Sequence, residues 1–259
     1  MFKLQGRKAI NYAAGLTLYN FLLIGVYPSI ANSPGLAKLS RNLPDSVRRV
    51  FGVTAGSGLE SFESYAANQC FGRIWMLALG MYSISTAEDL IVKLVDQGAM
   101  AYLLSSPTRR LEVISTQGAV LVSGLALMIL LTEAGIWGGM RVFAIPINFW
   151  PYLHLGLLEF ALFLAVGSYS LFFSALFNNK GYANFCAACL TFLYYGMDVL
   201  ASLEDRLAWL KNLTIFGWGS PNEVLEGLVP VKQTLALLGF SAVFALLAGY
   251  IFNKKDLPL

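Results

Sequence analysis

Few side chains in this sequence can do chemistry, and their spacing limits what that chemistry can be. His154 is the single histidine, and Glu159 follows five positions later. On a helix that separation is a rotation of about 140°, so the two do not share a face and make a poor acid–base dyad. One histidine cannot supply an HExxH zinc motif or a histidine-rich metal site, so no metal is expected. No serine stands in a GxSxG turn, which leaves a Ser-His-Asp arrangement without its nucleophile. Cys186 and Cys189 are three apart and could share a helix face, but no second ligand pair lies near them. With Cys70, they read as small packing residues within apolar segments.

The sequence also lacks a GxxxxGK[ST] phosphate loop and a glycine-rich nucleotide fingerprint. It therefore cannot hold the phosphates of ATP in either familiar way, and no cofactor is expected on it. Any energy source lies on another molecule.

Composition says where such a chain resides. Of its 259 residues 57% are hydrophobic and 13% charged, and the mean hydropathy is +0.63. A soluble domain carries about 25% charge. The net charge of +3 comes from scattered lysines and arginines, and the aromatics lie in apolar runs, so nucleic-acid binding has no support. The first apolar run is uncharged from Ala9 to Ser33, longer than the roughly 7 to 15 residues of a signal-peptide core, and reads as a retained span.

Taking about 20 apolar residues per crossing, the sequence predicts one all-α unit over 1–259 with six transmembrane helices, at about 10–31, 66–87, 113–132, 150–177, 182–203 and 233–253. Leu36, Leu39, Leu43, Val47 and Val50 recur at helical spacing among charged residues, and so do Leu203, Leu207 and Leu210. Both stripes fit short interfacial helices on the outer side. Glu133 is expected to close the third span in solvent, and Asp198 to sit solvated near the outer end of the fifth. His154 suits an interfacial position close to the outer end of the fourth span. Glu159 lies deeper, where a carboxylate is costly unless paired, protonated or facing water, so it is a candidate to line a translocation path. Half of the 18 basic residues fall on each side of such a topology, and charge count alone does not orient it.

Between the second and third spans runs DQGAMAYLLSSPTRRLEVISTQ, residues 96–117. A plain loop needs neither an apolar face nor a defined stop, yet this one has Met100, Tyr102, Leu103 and Leu104 followed by Ser105-Ser106-Pro107. Ser106 can cap the next helix with Pro107 at its first position. The order of an acidic residue, Gly, a short apolar run, Leu-Leu-Ser, Pro and Arg resembles the first cytoplasmic loop of membrane subunits of type-2 ABC exporters. YPSI at the end of the first span, LPDSVRRVFG and the closing YIFNKKDLPL resemble the same family more loosely. Ala99 departs from it where a hydroxyl residue is commoner, and Gln117 where a lysine is expected.

The resemblance implies a coupling helix in that loop, resting on a separate ATP-binding subunit that carries ATP and Mg2+. It implies that Asp96, Gly98, Met100, Tyr102, Leu103, Leu104, Ser105, Pro107 and Arg110 make the contact, with Leu103 and Leu104 filling a cleft. It further implies a second permease copy or paralogue, a bacterial cell membrane, cytoplasmic termini and export. The largely apolar spans suit a hydrophobic or amphipathic substrate, and without a nucleotide-binding motif the chain is not expected to be an enzyme itself. Two rivals stand beside it. One is an ion-coupled carrier using Glu159; the weaker is an intramembrane lipid-modifying enzyme built on His154 and Glu159.

Overall fold

A computed structural model describes residues 2–31, 62–100, 110–146 and 148–255. Among the described residues the secondary structure is helical, with no strand. The long helices are α1 (Phe2–Ala31), α3 (Arg73–Leu90), α5 (Arg110–Val142), α6 (Phe149–Leu176), α7 (Lys180–Leu203) and α9 (Val231–Lys254). Shorter ones are α2 (Phe62–Gln69), α4 (Val92–Asp96) and α8 (Pro221–Leu225), with 3-10 turns at Asp205–Asn212 and Ile215–Trp218.

Local chemistry sets several ends. Asn179 caps α7, its Oδ1 accepting from the Gly181 N–H at 2.8 Å and the Tyr182 N–H at 3.3 Å. Proline opens α8 at Pro221, where its missing N–H costs no hydrogen bond. A break separates α2 from α3 at Cys70–Gly72. A Cβ on Gly72 would stand 1.9 Å from the Asn68 carbonyl oxygen, so only glycine lets the chain fold back this tightly.

Five helices are long and apolar enough to cross a membrane: α5, α6, α7, α9 and the Gln5–Ser29 part of α1. The expected second span is instead the broken pair α2 and α3, and α3 carries Arg73, Glu88 and Asp89 within 18 residues. The third is longer than expected. Glu133 does not close it, because α5 continues to Val142 and Glu133 is buried inside the bundle. Asp198, expected in solvent, is half-buried on α7 within electrostatic range of Lys211. The stripe at 36–50 lies outside the described residues. The second stripe forms the 3-10 turn at Asp205–Asn212, with Trp209 exposed.

The helices alternate in direction. Polar contacts gather the start of α1 (Lys8), the end of α3 (Asp89), the end of α6 (Ser174), the starts of α5 (Arg110) and α7 (Lys180), and the end of α9 (Lys255) on one face. This is called the termini face, since the described chain starts at Phe2 and stops at Lys255 on this side. At the distal face α2 packs on α8, and the Tyr65 hydroxyl donates to the Leu23 carbonyl at 2.9 Å. α6 is the hub: it is the most buried long helix and packs against α3, α5, α7, α8 and α9. α1 lies along α5, where a Cβ on Gly135 would meet Thr17 Cγ2 at 2.4 Å, so the two backbones are close enough to require glycine.

Candidate functional site

Two polar constellations stand out in this apolar bundle, one at each end. At the termini face, past the apolar stretch that ends at Ala87, Asp89 receives the Lys180 ammonium at 2.9 Å, Lys8 at 3.0 Å and Lys93 at 3.3 Å. Burial alone would raise the Asp89 carboxyl. Hydrogen bonds from Lys180 and Lys8, and the charges behind them, reverse that and hold it at about 2. Neighbouring Glu88 goes the other way. Burial raises it and Asp89 adds to the rise, while Lys180, Lys8 and a hydrogen bond from Asn184 at 3.2 Å only moderate it, leaving about 7. One carboxylate thus ties α1, α3 and α7 together, and its neighbour is poised to lose a proton near neutrality.

The same face holds the two flanks of the 101–109 segment. On the entering side Ser174 bridges the joint between α3 and α4: its Oγ donates to the Ala87 carbonyl at 3.1 Å and accepts from the Val92 N–H at 2.9 Å. Asp96 then ends α4 in an exposed position, Gly98 takes φ +69°, and Met100 is buried in the core. Tyr102, Leu103, Leu104, Ser105 and Pro107 lie outside the described residues, as does Ser106. On the leaving side the Arg110 guanidinium donates to the Lys255 carbonyl at 2.6 Å, just past the end of α9. The Lys255 ammonium in turn donates to the carbonyls of Ala175, Leu176 and Phe177 at 2.8, 3.0 and 2.8 Å. Those are the open carbonyls at the end of α6, which a cation satisfies while opposing the helix dipole. Burial lowers the Lys255 ammonium from its ordinary value. Both flanks of the segment therefore end on the same few residues of α6.

The other constellation lies in the distal half. Glu159 on α6 is 3% exposed and faces the Trp75 indole of α3. Glu133 on α5 is 6% exposed, lies against Gly156 of α6, and is within electrostatic range of Glu159. His154 is not with them: it is half-exposed, its ring 6.5 Å from that of Trp150. The expected lack of a shared face between His154 and Glu159 is what the helix gives, and the side chain beside Glu159 is Trp75, with Glu133 within electrostatic range. Sequence reading missed Glu133 because the apolar run seemed to stop at Thr132. The still apolar AGIWGGM that follows was the available signal. Among the described residues no group of three or more His, Cys, Asp and Glu could hold a metal ion.

A bundle of alternating apolar helices, polar at one face and nearly free of ion pairs elsewhere among the described residues, defines a multi-pass helical membrane protein. The sequence model for the ABC-2 family transporter proteins matches residues 16–257, and the chain belongs to that family. No curated protein sequence matches it. Membership makes the chain an ABC transporter permease, a membrane component of transport whose family typically works with an ATP-binding subunit. It lends no support to the carrier or lipid-enzyme alternatives.

Proposed function

We propose that this chain is the passive gate of an ABC exporter: a six-span permease subunit that moves a hydrophobic or amphipathic substrate with ATP and Mg2+ bound on a separate subunit. The sixth span is the broken α2–α3 segment as far as Ala87, which restores the alternation of directions and puts both termini in the cytoplasm of a bacterial cell. Two such subunits, identical or related, line the path. The segment from Asp96 to Arg110, with Leu103 and Leu104 at its apolar centre, rests on the ATPase, and Glu159 lies beside the path.

One observation carries the reading. Ser174 on the entering side and Arg110 through Lys255 on the leaving side deliver any push on the segment to the end of α6, the helix on which the others pack. Nucleotide-driven closure of the ATPase subunits would displace the segment, and α6 would move with it. The test is Leu104→Asp. The variant is expected to insert and fold as wild type but to lose its ATPase partner during purification in mild detergent. Unchanged co-purification would overturn the docking role of this segment.

A further inference from the structure

Glu133 is nine-tenths buried, and neither of its carboxylate oxygens has a hydrogen-bond partner. A carboxylate so placed in a membrane helix is expensive unless it is paired, protonated or facing water. Here it borders a cavity. Between α5 and α6 a space of about 250 Å3 is lined by Glu133, Gly156, Trp137 and Phe160, with Leu130 and Leu157 at its rim. The rim leucines are 66% and 52% exposed, so the opening faces outward between the two helices rather than into the core. Every lining residue other than Glu133 is apolar or aromatic.

This chemistry selects an occupant. No described cation pairs with Glu133, and the one charge within its range is the like charge of Glu159, so an anion is repelled. An inorganic cation would need several oxygen ligands, and the lining offers one carboxylate. An organic cation needs one counter-charge, aromatic faces for its positive end and apolar walls for its body. We propose that this cavity binds the ammonium end of an amphipathic organic cation, with Glu133 as its counter-charge. The assignment deepens the permease reading by naming a cargo class, and rests on that reading only in calling the ligand cargo.

The test uses the permease alone, in maltoside micelles, with benzyltrimethylammonium as the probe and neopentylbenzene as its uncharged isostere. Binding is measured by equilibrium dialysis and by quenching of tryptophan fluorescence. Saturable binding of the cation is expected, weakened at least about tenfold by Glu133→Gln and at least about tenfold for the isostere, the scale of a lost charge-assisted contact. Equal affinity in Glu133→Gln and wild type, or isostere binding as tight as the cation's, overturns the assignment. Should Glu133→Gln fail to fold, Leu157→Trp narrows the rim with the carboxylate intact: lost binding supports the site, and unchanged binding overturns it. Phosphatidylethanolamine added to the micelles separates two sources of the ammonium. Competition assigns a lipid headgroup and its absence a free amphiphile, each only after binding has been shown to need Glu133. Because no ATPase is present, failure of the Leu104→Asp experiment would remove the coupling reading and leave this result standing, and the converse also holds.

Discussion

Asp89→Asn keeps the shape of the side chain and removes the charge that three lysines share. The Asp89 side chain is 17% exposed, against 22% for Lys8, 36% for Lys180 and 39% for Lys93. The better buried Lys8 pair is worth about 1 kcal/mol, and the two more exposed pairs, discounted for solvent screening, about 0.5 kcal/mol each. The sum of about 2 kcal/mol corresponds to a fall of about 4 to 8 °C in Tm for a chain of this length. The assay is thermal unfolding in detergent at pH 7, read with a thiol-reactive fluorophore that reports exposure of Cys70, which is buried in the fold. Cys186→Ser and Cys189→Ser remove the background from the two more accessible thiols. The pH dependence supplies an internal check. The carboxyl is held at about 2, below its ordinary 3.8, so its pairing contributes fully above about pH 4 and is lost as pH falls through 2. The gap between variant and wild type should therefore be full at pH 7 and close at the acid end. A Tm within 1 °C of wild type at pH 7, the size of an isolated surface pair, would refute the reasoning.

Glu88 gives the opposite slope. Its carboxyl is raised from 4.5 to about 7, so the folded protein holds a proton that the unfolded chain releases, and stability should fall as pH rises from 4.5 through 7. Glu88→Gln should flatten that limb and leave Tm higher than wild type at pH 8, measured in the same assay. Lys255→Met removes the cation that satisfies three carbonyls at the end of α6 and should lower Tm by about 2 to 6 °C, for a loss of about 1 to 1.5 kcal/mol. Lys255→Arg should recover part of that loss.

The apolar runs announced α1, α5, α6, α7 and α9 because a crossing helix needs little besides length and hydropathy. The α2–α3 break was not legible: it depends on the close approach of Gly72 to the Asn68 carbonyl, a contact that hydropathy does not register. Glu133 was misplaced for a related reason. Its burial is decided by α1 and α6 closing over a helix that outlasts its apolar run, with Gly135 and Gly156 as the points of approach. The resemblance puts Arg110 at the ATPase contact, and nothing in the pattern singles out Lys255. Their partners lie 78 to 80 positions away for Lys255 and 145 for Arg110, distances at which sequence pattern carries no signal. Nothing in the sequence pattern tells Asp89 from Glu88, and only the placement of Lys8 and Lys180 separates them.

The two ends of α6 give the permease reading its mechanical content. At the termini face its last turn has carbonyls held by Lys255 and a hydroxyl, Ser174, that bridges the α3–α4 joint. Near its other end, Gly156 touches Glu133 and Glu159 is buried against α3. A continuous 28-residue helix without an internal proline beyond its first turn transmits displacement along its axis, whereas the broken α2–α3 pair can absorb it. Movement imposed at the Lys255 end would therefore arrive at the Gly156–Glu133 contact, where α6 and α5 enclose the cavity. A shift of α6 relative to α5 there would change the width of that cavity. An energy source acting on the 101–109 segment could in this way alter affinity at the far end of the bundle without touching the site.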